Sequence, residues 1–124
     1  MTSAHVLVVD DAEDIRLLVV IRLKLAGFEA SEASNGADAI AQASAAAPDL
    51  ILLDWVMPGL DGIEVCRRLK SNPATAGVPI ILLTGRVLPD EERMAVEVGA
   101  EGLIAKPFDV DELIDRVRET LLLG

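Results

Sequence analysis

Apolar residues fall into four short runs along this chain, and each run ends on a polar side chain. Val6-Leu7-Val8-Val9 stops at Asp10-Asp11, and Leu50-Ile51-Leu52-Leu53 stops at Asp54. Ile80-Ile81-Leu82-Leu83 stops at Thr84, and Leu103-Ile104-Ala105 stops at Lys106-Pro107. Continuous apolar runs of this length read as strands buried on both faces. They predict strand one over 5–9, strand three over 50–53, strand four over 78–83 and strand five over 102–104. Strand two is placed near 28–32. Helical signals fill the gaps. Helix one covers 13–26 and stops at Gly27. Asn35-Gly36 opens an alanine-rich helix two that ends before Pro48. Asp61 followed by Glu64 predicts a capping box for helix three, which ends near Asn72-Pro73. Pro89-Asp90 opens helix four, which stops at Gly99. Asp109 followed by Glu112 is a second capping box, for a helix five that runs to the C-terminus. Five βα units without a composition break predict one α/β domain over 1–124, a parallel sheet with helices on both faces.

Ligands of open α/β sheets bind beyond the carboxyl ends of the strands. If the four runs are sheet neighbours, three carboxylates, a hydroxyl and an ammonium gather at that edge. Two unit charges about 4 Å apart repel by roughly 4 kcal/mol at an effective dielectric near 20. Such a cluster must protonate, pair or bind a cation. All-oxygen ligands suit a hard ion, and Mg²⁺ takes one or two carboxylates plus waters and a phosphate oxygen. A carboxylate also accepts a phosphoryl group, as an acyl phosphate. Cation and lysine then neutralise the transferring oxygens. Taken singly, each residue has a plainer role. Asp10-Asp11 suits a helix start. Asp54 before Met57-Pro58-Gly59 suits a turn, as does Thr84-Gly85. Lys106 could be a solvated lysine. Their shared position, always at the same end of a strand, favours a joint site.

Composition narrows the classes. Of 124 residues, 11 are Lys or Arg and 21 are Asp or Glu, for a net charge of −10. Without a basic run, such a chain repels nucleic acid and anionic lipid. Cys66 is the only cysteine, so an internal disulfide is ruled out, and its setting reads as a buried helical thiol. No apolar stretch approaches the roughly 20 residues of a membrane span. The N-terminus lacks the apolar core of a signal peptide. A cytoplasmic setting is expected. The glycine motifs of the usual nucleotide cradles are missing.

The motifs VLVVDDAEDIR, ILLDWVMPGLDG, PIILLTG and IAKPF, in this order and separation, resemble the receiver domain of two-component response regulators over essentially the full chain. The resemblance implies a flavodoxin-like, doubly wound five-stranded sheet of order 2-1-3-4-5 with five helices. It makes Asp54 the phosphoacceptor. Asp11 and Asp54 would bind Mg²⁺ directly, with the backbone carbonyl of Val56 as a third protein ligand. Asp10 would act through a metal-bound water. Thr84 would bond a phosphoryl oxygen, Lys106 would pair with the phosphate, and the Lys106-Pro107 peptide would be cis. The donor would be a phosphohistidine on a histidine kinase or phosphotransfer protein. Catalysis would be confined to the chain's own phosphorylation and dephosphorylation, and a phosphorylation-dependent dimer is admitted. The chain stops at Gly124 after helix five with no output domain following, so either a stand-alone regulator or a fragment of a longer protein is expected.

Some positions depart from the family pattern. Leu103 stands three residues before Lys106, where an aromatic ring is common, so the ring half of the usual switch is in doubt. Val56 and Arg86, two residues beyond Asp54 and Thr84, occupy places that influence acyl-phosphate lifetime. Helix one holds more apolar residues than one core stripe needs. The excess is either a docking patch or a set of singly exposed side chains. Met94, Val96 and Val98 are expected to give helix four its core face, and Leu113, Ile114 and Val117 that of helix five. Rival readings are a Mg²⁺-dependent aspartyl phosphatase, disfavoured by Val56 where a second acid is usual, and a phosphate-independent interaction domain. A flavin site is weaker still, with two Phe and one Trp as the only aromatics.

Overall fold

A computed structural model of the chain describes residues 3–123. Strand and helix alternate five times. The elements are β1 (His5–Val9), α1 (Glu13–Leu25), β2 (Glu29–Ala33), α2 (Gly36–Ala45), β3 (Leu50–Asp54), α3 (Gly62–Ser71), β4 (Ile80–Thr84), α4 (Pro89–Glu97), β5 (Gly102–Ala105) and α5 (Val110–Leu123). All strand pairs are parallel, in the order β2-β1-β3-β4-β5. This is the expected flavodoxin-like topology. The chain reverses its direction of winding between β1 and β3, which opens a crevice at their carboxyl ends.

Strand side chains alternate between two helical layers. Val6, Val8, Leu50, Leu52, Ile81 and Leu83 pack with Val19, Val20 and Leu23 of α1 and Leu113, Ile114 and Val117 of α5. Leu7, Val9, Ile51, Leu53, Ile80 and Leu82 pack with small or apolar residues of α2, α3 and α4. Each fully buried Leu or Ile stabilises the fold by about 2 kcal/mol relative to exposure. The same alternation carries Asp10, Asp54 and Lys106 toward the α1/α5 side, since they follow Val8, Leu52 and Ile104 by two residues.

Boundaries moved by a residue or two. β3 and β4 include Asp54 and Thr84, so the ladder continues through the polar residues. β4 starts after Pro79, which has no N–H to donate. β2 starts one residue late, after Phe28, and α1 ends before Ala26, with Gly27 at φ +99°. Asp61 caps α3 by accepting the Glu64 N–H at 2.9 Å. The reciprocal arm of the capping box gives way to ion pairs, because the Glu64 carboxylate holds Arg67 at 2.7 Å and Arg68 at 3.1 Å. Asp109 accepts the N–H groups of Asp111 and Glu112.

The expectation for helix four holds for Val98, which packs against the α2/α3/α4 core, and fails for Met94 and Val96. Ala95 is the buried residue of α4, whereas Met94 and Val96 are exposed. A spacing of two residues turns a helix by about 200°, so Val96 lies opposite Met94 and Val98. On α1, Leu17, Leu18, Ile21 and Leu25 stay exposed while Val19, Val20 and Leu23 enter the core.

Candidate functional site

Asp10, Asp11, Asp54 and Lys106 meet where β1, β3 and β5 end. Carboxylate oxygens of the three acids lie within 4.8 Å of one another, the one such group among the described residues. Asp10 and Asp54 are buried, and Asp11 is exposed. The Lys106 ammonium stands 2.8 Å from Asp10 Oδ2 and 3.1 Å from Asp54 Oδ1. The structure thus gathers the residues that the sequence placed at one sheet edge.

Asp10 is tied on every side. Its N–H donates to the Ala33 carbonyl at 3.2 Å, and its Oδ1 accepts the Ala12 N–H at 2.9 Å. Its carbonyl accepts Arg16 Nη1 at 2.9 Å. Asp54 is set by β3 and by the seating of α3. The Trp55 N–H donates to the Leu83 carbonyl, and the Gly62 N–H donates to the Trp55 carbonyl at 2.7 Å. A Cβ on Gly62 would lie 2.6 Å from the Asp54 carbonyl oxygen and 2.8 Å from Trp55 Cα. Only glycine lets α3 start this close to the acid-bearing strand end.

Thr84 is buried, and its Oγ1 accepts the Arg86 N–H at 3.2 Å. Accepting there leaves the hydroxyl its own proton to donate. The Thr84 carbonyl accepts the Lys106 N–H at 2.6 Å, which fixes the end of β5 to that of β4. The Lys106-Pro107 peptide is cis. The Val56 side chain stands in solvent, so only its backbone has a polar group to offer the site. Leu103 packs against the α2/α3/α4 core.

Burial raises the Asp54 carboxyl to about 6; the Lys106 hydrogen bond opposes this, and the charge of Asp10 adds to it. Burial pulls the Lys106 ammonium down, but its bonds to Asp10 and Asp54 outweigh that and hold its pKa above the usual lysine value. One ammonium faces three acids, so the pocket keeps an excess of negative charge. Its donors are all oxygens, two from buried carboxylates, and that set fits a hard divalent cation.

Sequence reasoning missed Arg16 and Glu32. The Arg16 side chain bonds the Asp10 carbonyl through Nη1 and Glu32 Oε1 through Nε at 2.7 Å. A basic residue six positions after Asp10, on a predicted helix, was the available signal.

The sequence matches the response regulator receiver domain over residues 6–118. It is 43% identical over 121 residues to the phosphate regulon transcriptional regulatory protein PhoB of Pseudomonas aeruginosa, covering 98% of this chain and 53% of that protein. It is 41% identical over 116 residues to the response regulator PleD of Caulobacter vibrioides, covering 94% of this chain and 26% of that one. The chain therefore spans about half, or less, of the length of these curated relatives. The crystallised chemotaxis protein CheY4 of Vibrio cholerae superimposes with a TM-score of 0.91 at 33% identity, over 95% of this chain and 98% of that one.

Proposed function

The chain belongs to the response regulator receiver domain family of two-component signalling, and from that premise we propose that Asp54 is its phosphoacceptor and that Mg²⁺ assists the transfer. The observation that carries this reading is the meeting of three carboxylates within 4.8 Å beside the Lys106 ammonium.

The phosphodonor is a phosphohistidine of a histidine kinase or phosphotransfer protein. An Asp54 carboxylate oxygen forms the new O–P bond as the N–P bond breaks, and the leaving electron pair stays on the imidazole. Asp11, Asp54 and the Val56 carbonyl would hold Mg²⁺, and Asp10 would act through a bound water. When bound, the cation neutralises charge on the phosphoryl oxygens. Lys106 already lies against the accepting carboxylate, so it needs little movement to pair with the phosphoryl group. Thr84 donates its hydroxyl proton to a phosphoryl oxygen.

The new charge and acceptor oxygens draw on Lys106 and Thr84, bias the loops that carry them, and so change affinity for an output partner. Leu103 stands where a ring is usual and packs against the α2/α3/α4 core, so no aromatic side chain at that position carries the signal. The aspartyl phosphatase reading is disfavoured, because Val56 brings no second acid. The test is labelling by acetyl phosphate with Mg²⁺. Asp54→Asn is expected to abolish labelling; undiminished labelling in that variant would refute the assignment.

A further inference from the structure

We propose that Arg16, braced by Glu32, is a positioning residue for the acidic pocket: its guanidinium fixes the Asp10–Ala12 turn that presents Asp11 to the cation. The inference rests on the reading of this pocket as a Mg²⁺ site.

The turn between β1 and α1 is held partly from outside, since the Asp10 N–H donates to the Ala33 carbonyl of β2. Ala12 sits at the N-cap of α1 and makes no side-chain cap bond. Locally, the turn is held by Asp10 itself, whose Oδ1 accepts the Ala12 N–H. That oxygen belongs to a carboxylate whose other oxygen is taken by Lys106. The local tie thus shares its carboxylate with the ammonium that is to pair with the phosphoryl group. Arg16 supplies a tie that does not depend on Lys106. It reaches back from the first turns of α1 to the Asp10 carbonyl at 2.9 Å. Its Nε is held at 2.7 Å by Glu32, near the end of β2, and its side chain is 12% exposed. Gln42 of α2 in turn donates to the Glu32 carbonyl at 2.9 Å. A partly buried fork with two fixed acceptors has little freedom left, and arginine is suited to this where lysine is not.

The sign of the effect separates positioning from charge. A guanidinium beside a cation site repels the cation. If Arg16 acted only through its field, Arg16→Met would tighten Mg²⁺ binding and Arg16→Lys would change nothing. Positioning predicts the reverse. Outer partners that orient metal ligands are typically worth 10- to 100-fold in affinity.

The experiment is calorimetric titration of the metal-free chain with Mg²⁺, together with the Mg²⁺ dependence of acetyl phosphate labelling. Arg16→Met is expected to weaken Mg²⁺ about tenfold, and Arg16→Lys is expected to weaken it severalfold. In both, the half-saturating Mg²⁺ for labelling should rise while the plateau rate stays near that of the parent, because Asp54, Thr84 and Lys106 are untouched. Unchanged or tighter binding in Arg16→Met overturns the proposal. If Arg16→Met does not fold, Arg16→Lys decides, and parental affinity there overturns it. A parent chain that fails to bind Mg²⁺ overturns the pocket reading itself, a result distinct from parental binding that the Arg16 variants leave intact.

Discussion

Lys106 is paired with Asp54 across 3.1 Å before any phosphoryl group arrives, and the same ammonium holds Asp10 at 2.8 Å. One cation therefore serves two buried carboxylates that would otherwise face each other. The pairing sets both the resting stability of the site and the ease with which it can be recharged.

Lys106→Ala removes that cation and leaves Asp10 and Asp54 without it. Breaking a buried ion pair from one side costs about 3–5 kcal/mol. Lys106 is partly open to solvent, so a loss near the lower end, about 3 kcal/mol, is expected in metal-free urea denaturation. Mg²⁺ should restore part of it by supplying another cation to the same acids. A variant as stable as the parent without metal would show that the pair contributes nothing.

The pH dependence follows from the proton affinity of Asp54. Its carboxyl stands at about 6 in the folded chain against an ordinary value of 3.8, chiefly through burial. The folded state thus holds this proton more tightly than the unfolded state does. The associated stability is complete below about pH 4 and is lost as pH rises through about 6. Asp54→Asn keeps a neutral group at every pH. Without metal, the variant should gain on the parent between pH 4 and pH 7, by on the order of 2 kcal/mol. Parallel stability curves for the two proteins would count against it.

Much of this site was legible in the sequence because strand ends are. Each apolar run stopped within a residue of its strand's end, and a parallel sheet brings those ends to one edge. Asp10, Asp54 and Lys106 also share a parity, since each lies two residues beyond a side chain on the α1/α5 face. The phase of α4 was misread at Met94 and Val96, because the three apolar positions follow a strand's period rather than a helix's; Val98 does pack inward. Arg16 and Gly62 were missed for a different reason. Their roles lie in contacts to backbone atoms, the Asp10 carbonyl and the Asp54–Trp55 peptide, and a pattern of side-chain types does not encode these.

Mg²⁺ should stabilise the chain by mass action. A ligand at about 100 times its dissociation constant adds about 2.7 kcal/mol. Asp11 is the exposed member of the acid group, with its charge least committed to partners within the protein. Asp11→Asn should therefore leave metal-free stability nearly unchanged while removing most of the Mg²⁺-dependent rise in Tm. A variant that keeps the full rise would take Asp11 out of the ligand set.

Gly62 offers the sharpest test of how the fold positions the acceptor. Glycine to alanine inside a helix normally stabilises by about 1 kcal/mol. Here the added Cβ would lie 2.6 Å from the Asp54 carbonyl oxygen and 2.8 Å from Trp55 Cα, both backbone atoms that cannot rotate away. Overpacking of this kind costs about 1–3 kcal/mol. Gly62→Ala should therefore destabilise the chain by up to about 2 kcal/mol on balance. It should also weaken Mg²⁺ binding, because α3 must draw back from the strand end that carries Asp54. Gly77→Ala is the control, since a Cβ there meets nothing within 4 Å. Equal effects of the two substitutions in urea denaturation would show that the close approach of α3 to Asp54 does not matter.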